Sequence, residues 1–459
     1  MMADLIEQLR GIVGDKGLVL NRDLAGRSAG YRHPDKTLVA KVLVRPGTTE
    51  EVSQVLKLCN AAGQPVVSHG GLTGLVDGNI ASPGELILSL ERMRAIEEID
   101  PASATMTVQA GVTLQSVQEA AEDAGFFFPL DLGGRGTATL GGNISTNAGG
   151  NRVVRYGMAR DMVLGLEAVQ ADGTVLRSLS KIIKDNAGYN LKHMFIGSEG
   201  TLGVVTRLVL RLRPKPASQQ TAYLALDDFD KLPRLLNFCN SRSGGCLSAF
   251  EVMWRDYFEL VLATPGAAQP LPADYPYYVL MEVMGGDPEA DAGRFEAMLG
   301  AALEQGLLVD AVIAKSEGER RAMWALRDDV ESLRRWGPTV GFDVGLPIAT
   351  MPGYLEEIDA PILAQWPGRR RAVFGHLGDG NLHIVYAVGD IGANTKKLID
   401  DAVYLPLASR GGSVSAEHGI GLAKKEYLQV SRSAAEIGLM RQLKTMMDPN
   451  NILNPGRIF

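Results

Sequence analysis

Two glycine-rich segments in the first half of the chain constrain its fold more than any other feature. One covers 68–79 and the other covers 129–150. Glycine adopts positive φ and allows close backbone approach, so successive N–H groups can point at an anion such as a pyrophosphate. Thr, Ser and Asn side chains between the glycines add hydrogen-bonding groups without charge. Neither segment is a P-loop or a GxGxxG fingerprint. The pattern fits either a set of tight turns or an extended phosphate-bearing cofactor.

The surrounding pattern predicts an α+β protein in two parts. Thr48 with Glu51 forms a predicted capping box, and Asp172-Gly173 predicts a hairpin over 163–176. The charged, proline-bearing stretch 211–216 is the predicted domain boundary. The predicted strands are 38–44, 65–68, 86–90, 105–109, 221–226 and 277–283. The predicted helices are the one after Thr48, then 114–124, 229–240, 289–305 and 317–335.

Composition excludes several classes of protein. The 459 residues are 46% hydrophobic and 22% charged, which is typical of a globular protein, and a net charge of −7 argues against general binding to nucleic acid or anionic membranes. No apolar run approaches the ~20 residues of a membrane-spanning helix. The three cysteines lack CxxC spacing and cannot hold an iron–sulfur cluster. The first residues lack the features of a signal peptide, which predicts a cytoplasmic protein.

Three of the six histidines lie in two glycine-punctuated segments near the C-terminus. The first segment contains His376 and His383, and the second contains Glu417 and His418. Two imidazoles, a carboxylate and a further imidazole suit a divalent metal site with an adjacent acid or base. For either histidine of the first segment alone, an ordinary polar residue on a hairpin is the simpler interpretation. The combination favours a metal.

The first histidine segment also predicts a geometry. Asp379-Gly380 is a preferred two-residue hairpin turn between two apolar runs. We therefore expect a hairpin in which His376 lies directly opposite His383. Directly opposed residues have Cβ atoms about 4.5–5.5 Å apart, which suits two imidazoles that bind one ion.

Several motifs together resemble one known family, the FAD-binding oxidoreductases of the vanillyl-alcohol-oxidase type, which share a PCMH-type FAD domain. The chain is most similar to their branch of D-2-hydroxyglutarate, D-lactate and glycolate dehydrogenases. The resemblance is carried by 68–74, 129–150, 184–192, 195–203, both histidine segments and 448–456. It implies a helical segment over 1–33, a two-subdomain FAD-binding domain over 34–214, an α+β cap domain for substrate and metal over 215–420, and a C-terminal segment over 421–459 that returns to the flavin.

The resemblance also implies bound FAD. His69 precedes the glycine pair of its segment rather than following it, which favours non-covalent attachment. The implied cofactor-binding residues are Ser68, His69, Gly70, Gly71, Leu72, Thr73, Gly74, Leu75, Pro129, Leu130, Asp131, Gly133, Gly136, Thr137, Thr139, Gly141, Gly142, Asn143, Ser145, Thr146, Asn147, Gly149, Gly150, Glu199, Gly200, Gly203, Val204, Val205 and Asn454.

For the two histidine segments, the resemblance implies a metal ion and a base. His376, His383 and Glu417 would bind a divalent ion, usually taken as zinc. His418 would serve as the base or as a substrate partner. Arg327 matches the arginine that binds the substrate carboxylate, and a surface charge on a helix is the alternative for it.

Three positions depart from the pattern of 2-hydroxyglutarate enzymes. Those enzymes resemble this chain but carry threonine, lysine and asparagine where it has Glu331, Gly341 and Val385. A dicarboxylate held in the same pose would lose charge-assisted bonds worth about 1.5–3 kcal/mol each. We therefore expect Glu331 in the substrate site, and a D-lactate-like or other 2-hydroxy acid rather than 2-hydroxyglutarate bound in the usual way.

These residues predict an FAD-dependent dehydrogenase that oxidises a D-2-hydroxy acid by hydride transfer to flavin N5. The alternatives are a D-2-hydroxyglutarate dehydrogenase with an altered pocket, a metal-dependent hydrolase, and an electron-carrier subunit without its own substrate. The chain shows neither an NAD motif nor cluster-binding cysteines. We therefore expect an electron-transfer flavoprotein or a quinone as the acceptor, and a homodimer is a candidate assembly.

Overall fold

The computed structural model describes residues 2–459, with only the backbone described for residues 2, 3, 21 and 22. Its helices are α1 (Met2–Val13), α2 (Asn21–Ala25), α3 (Thr49–Ala61), α4 (Leu114–Asp123), α5 (Leu140–Ser145), α6 (Val153–Tyr156), α7 (Lys192–Phe195), α8 (Lys231–Arg242), α9 (Arg255–Leu262), α10 (Pro288–Glu304), α11 (Glu317–Asp328), α12 (Met351–Gln365), α13 (Ala393–Tyr404), α14 (Leu428–Ser431) and α15 (Ala434–Met447).

The strands of the described residues form four sheets. They are β1 (Leu18–Val19), β2 (Val42–Val44), β3 (Val66–His69), β4 (Leu86–Ser89), β5 (Ile96–Asp100), β6 (Thr105–Gln109), β7 (Phe126–Phe127), β8 (Val163–Val169), β9 (Val175–Ser178), β10 (Val204–Arg211), β11 (Arg213–Pro214), β12 (Ser218–Leu226), β13 (Leu247–Trp254), β14 (Tyr277–Gly285), β15 (Asp310–Ile313), β16 (Val340–Gly345), β17 (Arg370–His376) and β18 (Asn381–Ala387).

The chain divides into two compact units. The first unit comprises the residues up to Gly149, then Gly157–Lys215 and Glu417–Phe459. The second comprises Gly150–Tyr156 and Pro216–Ala416. Each unit is therefore built from stretches that are distant in the sequence. None of the helices in residues 2–459 combines the length and apolar character needed to cross a membrane.

The first unit contains two larger sheets. One has the order β1-β2-β4-β3, in which β4 pairs in parallel with both β2 and β3. The other has the order β5-β6-β10-β8-β9 and is antiparallel throughout. Helix α3 begins where Thr48 accepts a hydrogen bond from the Glu51 N–H, and it buries Val52, Val55 and Leu56 completely. This amphipathic helix follows from the spacing of its apolar residues.

The second unit is built on one seven-stranded antiparallel sheet. Its order is β15-β12-β14-β13-β17-β18-β16. Helices α9 and α11 contribute Tyr257, Phe258, Met323 and Leu326 to a buried apolar cluster on one face of this sheet. The short helix α6 packs against β13, so the stretch that follows the second glycine segment belongs to this unit. The α+β fold class predicted from the sequence is confirmed in both units.

The predicted elements agree with the structure where periodicity is strong. Strand β6, helix α4 and the β8–β9 hairpin lie where the sequence predicts them. Two elements differ. The strand predicted at 38–44 is reduced to β2, and the helix predicted at 317–335 ends at Asp328. Asp329 leaves the helical conformation (φ −75°, ψ 54°), and a 3-10 segment, Val330–Trp336, continues the chain.

Candidate active site

The first unit contains a cleft of about 990 Å³, counted with its open mouth. It is lined by the end of β3, the loop that follows β3, helix α5, the residues before β10, and two residues from the C-terminal part of the chain, His418 and Asn454. A concave site of this size, lined by backbone and a few polar groups, is typical of a small-molecule or cofactor site.

Most of the predicted cofactor residues line this cleft. They are Ser68, His69, Gly70, Gly71, Leu72, Thr73, Gly74, Thr139, Gly141, Gly142, Asn143, Ser145, Thr146, Glu199, Gly200, Gly203, Val204, Val205 and Asn454. The structure does not place the following predicted residues in its lining: Leu75, Pro129, Leu130, Asp131, Gly133, Gly136, Thr137, Asn147, Gly149 and Gly150. Asn147 shows one reason, because its carboxamide accepts a hydrogen bond from the Arg160 N–H (3.0 Å) and so turns to a neighbouring loop.

Five lining residues are additional to the predicted set. They are Val76, Gly78, Asn79, Leu90 and Ala110. Val76, Gly78 and Asn79 lie within the first glycine segment. Leu90 and Ala110 are small or apolar residues after strands, and nothing in their type signals a ligand. Only the fold brings them to the cleft.

Gly70 and Gly71 of the first segment, and Gly200 further along the chain, leave no room for a side chain because other parts of the protein pack against them. A Cβ at Gly71 would lie 1.9 Å from the carbonyl oxygen of Thr137, and one at Gly70 would lie 2.6 Å from Thr139 Oγ1. Gly200 has φ +70°, and a Cβ there would lie 2.5 Å from Ser68 Oγ. The predicted reason was approach to a ligand, but at these three positions the close neighbour is the protein itself.

A Gly71→Ala substitution should therefore displace one wall of the cleft. We expect a loss of about 1–3 kcal/mol in the free energy of unfolding, as for other overpacked sites, together with weaker binding of the cofactor. Urea unfolding and the flavin absorbance of the purified protein measure the two effects. Gly84→Ala is the matched control, because a Cβ at Gly84 meets nothing within 4 Å. Normal stability and normal flavin content in Gly71→Ala would contradict this account.

Two features of the cleft indicate that its lining serves a ligand. Among residues 2–459, the buried atoms Thr139 Oγ1 and Asn143 Oδ1 have no hydrogen-bond partner. Buried polar groups are nearly always satisfied, so such atoms point to a missing partner. Leu72, Glu199 and Asn454 adopt positive φ (56°, 52° and 42°), a strained conformation that clusters at functional sites. The cleft thus fits a polar, extended cofactor.

His69 is held inside the wall of the cleft. It is buried, and its Nε2 lies 2.8 Å from the carbonyl oxygen of Asn79. Burial lowers the pKa of His69 to about 4. The imidazole is therefore neutral at ordinary pH, and its Nε2 donates to that carbonyl.

The loop that carries His418 is held by a partly buried carboxylate, Glu199. Glu199 accepts hydrogen bonds from the N–H groups of Ile420 and Gly421, both at 2.7 Å. Burial raises the pKa of Glu199, although the two N–H groups act in the opposite direction. His418 Nε2 lies 3.5 Å from Glu417 Oε1, and the His418 side chain is 26% exposed. The structure therefore places the predicted base at the cleft, with its loop tied to the cleft wall.

The second unit carries a row of polar residues on one face of its sheet. The row consists of Glu251 on β13, His376 on β17, His383 on β18 and Asp343 on β16, and these four strands are neighbours. Asp343 lies directly opposite His383, and their potential ligand atoms lie within 4.8 Å of each other. Asp343 also accepts hydrogen bonds from Asn381 Nδ2 (2.8 Å) and Ser415 Oγ (3.2 Å). Ser415 directly precedes Ala416-Glu417 in the chain.

The predicted register of the histidine hairpin is wrong by two residues. Phe374, not His376, lies opposite His383. The turn is a 3-10 segment, Leu377–Asp379, followed by Gly380 in the left-handed conformation (φ +80°), and is longer than a two-residue loop. A shift of two residues keeps the side chains on the same face. The two rings therefore still lie close together, edge to face, with centroids 5.4 Å apart.

His376 is instead paired with a glutamate on the other side. Glu251 lies directly opposite His376 and its carboxylate lies 2.8 Å from His376 Nδ1. The same carboxylate bonds Arg327 Nε (3.0 Å) and Nη2 (2.7 Å), and all three residues are buried. Burial acts to raise the pKa of Glu251, but its pairing with His376 and Arg327 outweighs burial, and the pKa lies below its usual value.

This geometry changes what is expected of two predicted substrate residues. Arg327 is not a surface charge, and the structure gives its guanidinium a protein partner, Glu251. Glu331 lies in the 3-10 segment after α11, where its exposed carboxylate pairs with Arg334 at 2.8 Å. Substrate binding by Arg327 and Glu331 stays a prediction.

The other two positions that depart from the pattern of the 2-hydroxyglutarate enzymes, Gly341 and Val385, lie side by side. Gly341 on β16 is directly opposite Val385 on β18, one pair along from Asp343 and His383 on the same face. Val385 is also opposite Ala372 on β17 and belongs to the buried apolar cluster. Next to the Asp343–His383 pair, these three strands therefore carry two buried apolar side chains, Val385 and Ala372, and no side chain at Gly341.

The second unit offers donors that fit a divalent metal. Nδ1 of His376 is engaged by Glu251, so Nε2 is the nitrogen that an ion would use. His383 and Asp343 supply an imidazole and a carboxylate, the ligand types that zinc prefers. In the first unit, Glu417 and His418 form a second carboxylate–imidazole pair.

Comparisons with known proteins agree with these features. Residues 40–178 match the FAD binding domain family, and residues 215–458 match the family of FAD linked oxidases, C-terminal domain. A Bos taurus protein named D-2-hydroxyglutarate dehydrogenase, mitochondrial, is 40% identical, over 91% of this chain and 77% of its own length. A D-2-hydroxyglutarate dehydrogenase of Xanthomonas citri is 42% identical over 90% and 88%. A mitochondrial protein of Schizosaccharomyces pombe named as a D-lactate dehydrogenase is 36% identical, over 90% and 81%.

Solved structures share the fold at lower identity. p-Cresol methylhydroxylase superposes with a TM-score of 0.78 at 18% identity, over 99% of this chain and 96% of that one. An alkyldihydroxyacetonephosphate synthase superposes with a TM-score of 0.77 at 16% identity, over 99% and 84%. The resemblance and the PCMH-type fold predicted from the sequence are confirmed. The chain belongs to the FAD-linked oxidase family, in the branch whose members are named D-2-hydroxyglutarate and D-lactate dehydrogenases, and it is an FAD-dependent oxidoreductase.

Proposed function

We propose that this protein oxidises a D-2-hydroxy acid to the 2-oxo acid, with FAD as the hydride acceptor. One observation carries the proposal. His418, a group able to accept a proton near neutral pH, lines the same cleft as the glycine segments of the FAD-binding domain. A hydroxy-acid dehydrogenase needs this pairing of a base and a flavin. A metal hydrolase would use the histidines but leaves the FAD-binding domain without a role.

The cleft would hold FAD without a covalent bond. Its N–H groups and the buried oxygens of Thr139 and Asn143 supply uncharged partners for a dinucleotide. His69 supports non-covalent binding, because its Nε2 is already bonded to Asn79 inside the wall. Bound FAD supplies the redox chemistry, and the protein supplies alignment and the proton acceptor.

A divalent ion, with zinc as the best match to the donors, would be held by His376, His383 and Glu417. Asp343, which the sequence did not single out, is a further candidate ligand. Such an ion lowers the pKa of a bound hydroxyl group. His418 would take the proton of the α-hydroxyl at its imidazole. Arg327 would meet the substrate carboxylate with the N–H groups that Glu251 does not use.

The absence of a charged or polar side chain at Gly341, Val385 and Ala372 favours a substrate with a small, uncharged tail, such as D-lactate. Several relatives are named for 2-hydroxyglutarate, so this preference is a point at which the chain would differ from them. Gly341→Lys tests it, because a lysine there would provide a charge-assisted partner for a second carboxylate. We expect kcat/KM for D-2-hydroxyglutarate relative to D-lactate to rise about 10- to 100-fold, the equivalent of 1.5–3 kcal/mol.

Steady-state kinetics with both acids measure this ratio. Gly286→Lys is the control, since it adds the same charge to an exposed loop of the same unit. If the ratio of the two kcat/KM values is no higher in Gly341→Lys than in Gly286→Lys, the substrate tail does not lie near Gly341.

The proposed reaction is tested most directly by flavin bleaching. The purified protein should be yellow, and a D-2-hydroxy acid should reduce its flavin without oxygen. A colourless protein with hydrolase activity would support the alternative class, and a yellow protein that no 2-hydroxy acid bleaches would indicate an electron carrier. In the proposed reaction, an electron-transfer flavoprotein or a quinone would reoxidise the reduced flavin.

A cytoplasmic location stays a prediction, and the curated relatives from animals and plants are named as mitochondrial.

A further inference from the structure

Glu251 is a buried carboxylate that touches two residues of the proposed site at once. It is 1% exposed, and it bonds His376 through Nδ1 and Arg327 through Nε and Nη2. We propose that Glu251 is a positioning residue that fixes the tautomer and orientation of His376 for metal binding and holds Arg327 beside it. The inference rests on the proposed metal site.

The hydrogen bonds determine which nitrogen of His376 carries the proton. The Arg327 guanidinium is always protonated, and a carboxylate paired with it is ionised and can only accept. His376 Nδ1 must therefore be the donor in the 2.8 Å contact with Glu251. In the neutral imidazole the lone pair then lies on Nε2, which is the form that binds a metal ion.

The backbone makes this arrangement rigid. Glu251 and His376 are direct partners on the antiparallel strands β13 and β17, so both side chains leave the same face with Cβ atoms about 4.5–5.5 Å apart. Phe374, two residues before His376 on β17, stacks on Tyr257 with ring centroids 4.0 Å apart and lies under the Arg327 guanidinium at 5.1 Å. The carboxylate is therefore enclosed by side chains that are themselves fixed by packing.

The neighbouring strand provides a matched control. Glu282 on β14 is also 1% exposed and lies on the same face of the sheet, opposite Ala249 of β13. Its contacts are with Ser248 Oγ (3.2 Å), Trp324 Nε1 (3.1 Å) and Arg152 Nη2 (3.3 Å). Glu282→Gln therefore removes an equally buried carboxylate from the same face of the sheet without touching His376 or Arg327.

Glu251→Gln is the informative variant because an amide cannot serve both partners. If its NH₂ group faces Arg327, two donors meet. If it faces His376, the imidazole must accept at Nδ1 and carry its proton on Nε2, which then cannot bind a metal. We expect a 10- to 100-fold weaker zinc affinity, the usual cost of losing the partner of a ligating histidine. Flavin content should match that of the wild type.

Zinc affinity is measured on the FAD-loaded protein by chelator competition for wild type, Glu251→Gln, Glu282→Gln, His376→Ala and the double variant Glu251→Gln/His376→Ala. Glu282→Gln should stay within about threefold of wild type. In the His376→Ala background, Glu251→Gln should cause little further loss, because the two residues act through one interaction. A purely structural role would lower thermal stability without this coupling.

The outcomes separate the inference from the function on which it rests. If the wild type binds zinc and Glu251→Gln binds it equally well, or if the two losses simply add, Glu251 is not a positioning residue. If the wild type binds no divalent metal but its flavin is still bleached by a 2-hydroxy acid, the metal site and this inference both fail while the proposed oxidation stands. Failure of bleaching with zinc affinity and coupling as expected would remove the proposed reaction and leave the positioning role.

Discussion

Replacing His418 with alanine should leave FAD bound and slow flavin reduction by a D-2-hydroxy acid about 10²- to 10⁴-fold, the usual contribution of a positioned base. The physical reason is that no other imidazole lies among the residues that line the cleft, apart from His69, whose Nε2 is engaged by Asn79. Anaerobic stopped-flow measurement of the flavin absorbance gives the rate directly. Flavin content is read from the same spectrum before substrate is added.

The control for this variant is His193→Ala. His193 belongs to the first unit and is exposed on the short helix α7, so the same substitution there should change neither flavin content nor rate. If His418→Ala reduces its flavin as fast as His193→Ala, the proton has another acceptor. Glu199 would then be the next residue to test, because its partly buried carboxylate lines the same cleft and its pKa is raised by burial.

Removing the proposed metal should have a comparably large effect. His383→Ala, or treatment of the wild type with a chelator, should lower the rate of flavin reduction by about 10²-fold or more, because a Lewis acid at an α-hydroxyl contributes several kcal/mol. Flavin content should not change, since the lining of the FAD cleft is in the first unit and His383 is in the second.

Adding zinc back provides the control. The chelated wild type should regain its rate with stoichiometric zinc, whereas His383→Ala should not. Metal analysis should show loss of the ion in both preparations before zinc is added. A wild type that keeps its full rate after the metal has been removed would contradict the proposed role of the ion.

The class of this protein follows from its amino-acid sequence, because the strongest signals in that sequence are local. Glycine segments, capping residues and apolar periodicity report backbone conformation within a few residues, and α4, β6 and the β8–β9 hairpin lie where those signals place them. The family motifs likewise led to the FAD-binding fold and to His418, a residue of the cleft lining. The face on which the histidines lie also follows from the sequence, because side chains in a strand alternate with a period of two.

Which distant residues are in contact depends on the tertiary fold. The register of the histidine hairpin depends on a 3-10 turn that no short motif signals, so His376 pairs with Glu251 across the sheet rather than with His383. Gly71 is required because the carbonyl of Thr137, 66 positions later in the sequence, occupies the space of its side chain. Glu251 and Arg327 lie 76 residues apart in the sequence, and their ion pair exists only because β13 and α11 pack together in the second unit. Contacts of this kind are set by strand order and packing, and a local pattern contains no information about either.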